Sequence, residues 1–348
     1  MKDFAFAIPG DLSLPTGGYA YDRRVMVECE RAGINAMHLA LPDGFPFPSA
    51  EVLALTENLL RALPPGRPIL IDGLGLGALP AEMLRGLQRP LAALVHHPLA
   101  LETGLRAEQQ AQLFASERAA LAEVAAVIVT SPMTARILVR DYSVDADKLV
   151  VAVPGTDSKA RATGGSTPPR ILAVGTVIPR KAYGVLVEAL NALRSRDWTC
   201  HIVGATDRDP GETQALRAAI AAHRLEERII LKGSMTAEAL EGEYDAADIF
   251  VSASLYEGYG MALTEALAHG LPIVAARGGA IEETLPADAA VLVSPGDAGA
   301  LAQAIGQLLD EPERLHVLAD TSWQAAQILP RWPETASIIA ATMRAIAA

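Results

Sequence analysis

Residues 254–270 read SLYEGYGMALTEALAHG. Glu257 and Glu265 stand in a stretch otherwise made mostly of glycine, aromatic and aliphatic residues. A buried structural helix has little use for two such charges. The stretch follows the apolar run IFVSAS (249–254) and reads as a loop that opens a helix near Gly260. Gly258 and Gly260 let backbone come close to a ligand. The free N–H groups at the helix start suit an anion, a diphosphate above all. Carboxylates accept from paired sugar hydroxyls, so one can hold a hexose and the other a ribose. Spacing alone also allows a plainer reading, with Glu257 an acid favoured by the helix dipole and Glu265 a solvent-facing residue.

Two further positions bear on chemistry. Asp72, in IDGLGLG (71–77), ends a strand and is an acceptor-side candidate. The glycine spacing there does not define a dinucleotide site, because no helix is expected to open at once and Pro80 follows. Asp207-Arg208-Asp209 has the Asp-x-Asp form of a divalent-metal site, but it lies between CHIVGA and Pro210, where a polar turn accounts for it.

The elements that must position these groups alternate along the chain. FAFAIP (4–9), NAMHLAL (35–41), ILIDG (69–73), LAALVHH (91–97) and AVIVTS (126–131) read as strands. Helices are expected at 19–32, 51–63 and 102–124 between them. After SKARATGGSTPPR (158–170), a composition break and the best linker candidate, the alternation restarts. Its strands are ILAVG (171–175), CHIVGA (200–205), IILKG (229–233), IFVSAS (249–254), PIVAAR (272–277) and AVLVS (290–294). Such alternation predicts an α/β fold with two Rossmann-like parallel-sheet domains, 1–157 and 158–329, facing a cleft. A last helix, 330–348, is expected to pack back on the first domain. Ligands of such sheets sit at the carboxyl ends of strands.

Composition bounds the function. The 348 residues carry 29 Lys and Arg against 41 Asp and Glu, a formal charge of −12. The acidic excess holds in both halves, which argues against a nucleic-acid surface and a polybasic membrane anchor. Cys29 and Cys200 fall in separate predicted domains, so neither a disulfide nor a cysteine metal cluster is expected, and a reducing cytoplasm fits. No run has the length of a signal-peptide core or a membrane span.

The stretch 254–270 resembles the signature of the retaining family 4 glycosyltransferases, which have the two-domain GT-B architecture. Their pattern is a glutamate followed by Gly-aromatic-Gly, with a second glutamate after seven intervening residues. Here these are Glu257, Gly258, Tyr259, Gly260 and Glu265. The resemblance implies that Glu257 contacts the donor sugar, Glu265 the nucleotide ribose, and amides around Tyr259 to Met261 the diphosphate. VGTVIPRKAYGVLVEAL (174–190) is similar to the family's first strand and loop of the C-terminal domain, with Arg180 and Lys181 as its basic pair. Two such cations neutralise a departing nucleoside diphosphate without a metal. Thr176 departs from the arginine many members carry there, which bears on phosphate geometry and not on class. YDAADIFVSASLYEGYG (244–260) and GLPIVAARGGAIEE (270–283) also match, with Gly278 and Gly279 as a wall of the donor pocket.

In the first half, IPGDLSLPTGGYAYDRR (8–24) resembles the family's glycine-containing loop and puts Gly17 and Gly18 near the donor phosphates or acceptor. VHHP (95–98) falls where the family has a histidine at the donor sugar or reaction centre. Alternation places the two rings on opposite sides. His97 is preferred as the catalytic one, with His96 an acceptor-side candidate beside Asp72.

The resemblance thus implies a retaining, metal-independent hexosyltransferase with no cofactor beyond its nucleoside-diphosphate sugar donor. It leaves open a uridine, guanosine or adenosine donor and a glycolipid, polysaccharide or small-metabolite acceptor. The expected location is cytoplasmic; a lipid acceptor would add peripheral contact with the inner membrane surface. The helix at 102–124, with two Arg and four Glu, does not favour that contact. The rival readings are a nucleotide-sugar epimerase, a sugar-nucleotide binding protein of the same fold, and a glycosidase, which needs two close carboxylates.

Overall fold

A computed structural model describes residues 3–348. The apolar runs become strands: β1 (Asp3–Pro9), β2 (Asn35–Leu41), β3 (Ile69–Asp72), β4 (Leu91–Val95), β5 (Ala126–Val129) and β6 (Leu149–Val151). They form one parallel sheet in the order β2-β1-β3-β4-β5-β6. The second sheet contains β7 (Arg170–Val174), β8 (Thr199–Val203), β9 (Ile229–Gly233), β10 (Ile249–Ser252), β11 (Ile273–Ala276) and β12 (Ala290–Val293). It is also parallel, in the order β12-β11-β10-β7-β8-β9. Each sheet belongs to its own compact unit, one comprising the chain up to Gly155 with Pro330–Ala348, the other Thr156–Leu329.

Burial explains why these runs pair as they do. β3, β4, β5 and β11 are buried at every residue, as expected of strands covered on both faces by helices. The edge strand β2 instead alternates, with Ala36 and Leu41 buried and Asn35, Leu39 and His38 at least partly open. β6 is absent from the strand reading of the sequence. It is three residues long, at a sheet edge, and none of its residues is buried, so it leaves no periodic signal.

Helix starts follow local chemistry. Thr16, Ser49, Ser131, Thr236 and Asp297 each accept a backbone N–H of the first turn they precede. Asp209 does the same, accepting from Glu212 N at 2.9 Å, which gives the Asp-x-Asp segment a structural task. Two expectations need correction. The helix read over 102–124 spans Ala107–Ala122, because Leu99–Leu101 form a 3₁₀ turn and Gly104 takes a left-handed φ of +81°. A helix does open directly after β3: Asp72 caps the single turn Gly73–Leu76, its Oδ1 accepting from Leu74 N at 2.9 Å.

The terminal helix Trp332–Ile346 packs on the first helix, Gly17–Arg31. Trp332 meets the Tyr21 ring edge-on at 5.7 Å, and Thr335 Oγ1 donates to Val153 O at 2.8 Å. Gly155 is required there, since a Cβ would lie 2.1 Å from Trp332 N. Residues 158–169 form neither strand nor helix and are strapped to the second unit. Ala162 N donates to His269 O at 2.8 Å, and Gly165 N to Asp248 Oδ1 at 2.6 Å.

Candidate functional site

In the second sheet the strand order reverses between β7 and β10, so the loops leaving these neighbours diverge and open a crevice at their carboxyl ends. The loop after β7 carries Arg180 and Lys181 in a 3₁₀ turn, and the loop after β10 carries Glu257. Lys181 Nζ lies 2.6 Å from Glu257 Oε1, and Arg180 NH1 lies 3.2 Å from Glu257 Oε2 and 2.7 Å from Tyr256 O. Leu255 N donates to Arg180 O at 2.8 Å, tying the two loops by backbone as well. Burial of Glu257 works to raise its pKa, but Lys181 and Arg180 outweigh it and hold the carboxyl at about 2. The group is an anion throughout the physiological range.

Glycines make this proximity possible. A Cβ on Gly175, directly after β7, would lie 2.5 Å from Lys181 Cε, so the glycine is the floor on which the lysine lies. On the other side the turn after β11 clasps the Glu257 backbone. Glu257 N donates to Gly278 O at 3.2 Å, and Ala280 N donates to Glu257 O at 2.8 Å. Gly279, at φ +70°, would place a Cβ 2.3 Å from Glu257 O. Gly278 and Gly279 therefore shape the loop that carries Glu257.

Gly260 enters the helix Met261–Ala268 with φ +98°, and Thr284 Oγ1 fixes the loop by donating to Tyr259 O at 2.7 Å. Gly258, Tyr259, Gly260 and Met261 are thus all in the loop and first turn next to Glu257. Glu265 lies on that helix and is not solvent-facing. Burial raises its pKa, and its Oε2 accepts from Tyr244 OH at 2.8 Å. Tyr244 in turn stacks on the His269 ring at 5.0 Å. The sequence reading singled out neither residue.

In the first unit, Asp72 ends β3, and His96 follows the adjacent β4. His96 Nε2 lies 3.3 Å from Asp72 Oδ2 and 3.3 Å from Asp22 Oδ1. Gly18, in the first turn of the helix after β1, is packed against this ring, since a Cβ there would be 3.4 Å from His96 Cδ2. Gly17 precedes it with open space around its Cβ position. The structure therefore joins His96, and not His97, to Gly18 and Asp72. His97 turns elsewhere, its Nε2 3.2 Å from Glu102 Oε2. Asp22 was missed in the sequence because an acid in a helix normally faces water; here its side chain is fully buried. Asp22, Asp72 and His96 offer ligand atoms within 4.8 Å of one another, the grouping a metal ion needs. Burial alone would lower the pKa of His96, but Asp22 and Asp72 outweigh it and raise it to about 10. The trio is one ring flanked by two buried carboxylates.

Two open parallel sheets, each with polar and charged loops at the carboxyl ends of its strands, define a two-domain α/β protein of the GT-B architecture. Sucrose-phosphate synthase from Thermosynechococcus elongatus has the same fold, at a TM-score of 0.82 and 22% identity over 98% of both chains. Anabaena HepE, solved in complex with UDP-glucose, superposes at a TM-score of 0.78 and 16% identity over 98% of this chain and 99% of its own. Residues 11–155 match the family described as glycosyl transferase 4-like domain, and residues 168–311 the family described as glycosyl transferases group 1. The chain belongs to these group 1, family 4-type glycosyltransferases. Among curated relatives, an MMP alpha-(1->4)-mannosyltransferase from Mycolicibacterium hassiacum is 28% identical over 265 residues, 71% of this chain. That match spans 63% of the relative's own length, less than two thirds.

Proposed function

We propose that this protein transfers a sugar from a nucleoside-diphosphate sugar to an acceptor hydroxyl, with retention at the anomeric carbon and without a metal ion. The observation that carries the reading is the meeting of Arg180, Lys181 and Glu257, from two loops on neighbouring strands, beside the start of the helix Met261–Ala268. A leaving diphosphate gains charge as its bond to the sugar breaks. Two fixed cations and free helix N–H groups in a partly dry site stabilise that charge more in the transition state than in the ground state. Glu257, held ionised, accepts from sugar hydroxyls and orients the hexose. Glu265, steadied by Tyr244, accepts from the ribose.

In this reading the anomeric carbon moves towards an oxocarbenium ion as the C–O bond to the diphosphate lengthens. The acceptor oxygen attacks from the same face, and its proton passes to a diphosphate oxygen, so no enzymic nucleophile is needed. His96 and Asp72 serve the sugar-binding side of the first unit. The UDP-glucose held by Anabaena HepE supports a nucleotide-sugar donor, and the mannosyltransferase name of the mycolicibacterial relative supports a hexosyl group.

A thermal-shift screen with UDP, GDP, ADP and CMP, with and without EDTA, tests this. Ligand binding to the native state adds about 2.7 kcal/mol at a hundredfold excess over Kd. One nucleoside diphosphate should raise Tm equally in both conditions. No response to any of the four would sink the proposal, and a response abolished by EDTA would sink its metal-independent part.

A further inference from the structure

The cluster in the first unit holds more charge than a structural contact needs. Asp22 lies wholly inside the protein, Asp72 almost so, and both carboxylates face one nitrogen of one ring, each at 3.3 Å. We infer that Asp22 is a positioning residue: with Asp72 it turns Nε2 of His96 inward and keeps the ring an imidazolium, so that Nδ1–H serves as a hydrogen-bond donor to the sugar substrate. The inference rests on the transferase reading for the substrate, and on the geometry of the trio for the rest.

The surroundings hold the ring in this orientation. Tyr21 presses edge-on against it at 5.2 Å, Gly18 leaves it room, and Thr130 Oγ1 donates to its backbone carbonyl at 3.1 Å. The side chain is 22% exposed, so the ring is sealed on its carboxylate side and still reachable by a ligand. Neutral imidazole with Nε2 protonated would leave Nδ1 as an acceptor, whereas imidazolium makes both nitrogens donors. One buried carboxylate orients a ring; a second adds the charge that keeps the extra proton on it. The charged and titratable groups facing the cluster are Asp22, Tyr21 and Arg23 from the first helix and Asp72 from the end of β3. Arg23 is partly engaged elsewhere, donating to Leu14 O at 3.0 Å. Burial pushes the Asp22 carboxyl up to about 7, against the pull of His96.

The test uses the full chain as wild type, Asp22→Asn and Asp72→Asn. Asp72→Asn keeps the Oδ1 that caps Leu74 and serves as the second probe in case the Asp22 variant does not fold. Histidine ring titrations are followed by NMR, with the His96 signal assigned from its loss in His96→Gln. The pH profile of nucleoside diphosphate release is measured with UDP-glucose and with GDP-mannose. Wild-type His96 should stay protonated above pH 8, and either variant should lower its midpoint by about one unit or more. Between pH 7 and 9 the variants should lose on the order of tenfold in rate where wild type holds steady. A wild-type midpoint near the ordinary histidine value overturns the inference. So does a midpoint that neither variant moves, or one that falls without moving the rate profile. The titration needs no substrate, so absence of turnover with both donors counts against the transferase reading and leaves the midpoint to decide the role of Asp22.

Discussion

Lys181 Nζ and Glu257 Oε1 lie 2.6 Å apart, across two loops that share no sequence neighbourhood and are joined only because β7 and β10 pair. Each side chain is about 85% buried or more, so neither charge is well solvated without the other. The first prediction concerns this pair. Lys181→Ala should lower turnover by roughly 10²–10³-fold, the usual effect of losing one donor to a developing anion. Arg180 remains beside Glu257, so the loss of stability should stay near 1–3 kcal/mol. Steady-state rates and urea melts on the same preparation check both halves. An unimpaired rate removes Lys181 from the proposed chemistry.

Gly279→Ala should behave as a loop mutation that acts at a distance on donor binding. A methyl at φ +70° and 2.3 Å from Glu257 O forces that backbone away, at a cost of about 2–4 kcal/mol. The nucleoside diphosphate thermal shift should shrink along with the Tm of the free protein. A variant with normal Tm and a normal shift would show that the turn does not set the position of Glu257.

Tyr244→Phe removes the hydroxyl that donates to Glu265 and keeps the ring stacked on His269. The loss of one hydrogen bond to a partly buried carboxyl should weaken nucleotide binding by about 1 kcal/mol, roughly fivefold. Isothermal titration with the nucleoside diphosphate that stabilises wild type reads this directly, and unchanged affinity refutes the supporting role of Tyr244.

Stability should fall as pH rises, through Glu117. This buried carboxyl lies under the histidine loop, its Oε2 accepting from Leu99 N at 3.0 Å. Burial pushes its pKa up to about 8, against the lowering effect of the Leu99 N–H and Tyr142. Between about pH 4.5 and 8 the folded state therefore holds a proton that the unfolded state releases. The sign follows: this contribution to stability is complete below the unfolded value and is lost as pH rises through 8, at up to about 1.4 kcal/mol per unit. Glu117→Gln should flatten that slope and raise Tm at pH 8.5. Identical pH–Tm curves for the two proteins would rule this out.

Much of this protein is legible in its residues. Strands such as β3, β4, β5 and β11 read as continuous apolar runs because covering helices remove any need for polar faces, and eleven of the twelve strands among the described residues are legible in the sequence. The exception, β6, is short and open at a sheet edge. Glu257 and Glu265 stood out because charge in a nearly apolar context is costly and has to be explained, whereas Arg180 and Lys181 were singled out only by the resemblance of 174–190 to the family's basic pair. The preference for His97 over His96 found no support in the structure, which turns His96 to Asp22 and Asp72 and His97 to Glu102; in an adjacent pair either ring can be the one turned inward. Asp22 and Tyr244 carried no signal, because an acid or a tyrosine on a helix looks alike whether it faces water or the core.

The sequence by itself determined the element types, the two parallel sheets and the loops that carry charge, since these follow from local periodicity and from the cost of burying polar groups. The tertiary structure alone decided which charges meet. Lys181 finds Glu257, and His96 finds Asp22 and Asp72, through strand order, and strand order is set by packing between segments far apart in the chain. The states of those groups depend on the meeting. A carboxyl held near 2 and an imidazole held near 10 are products of burial and neighbours, which no spacing of residues records.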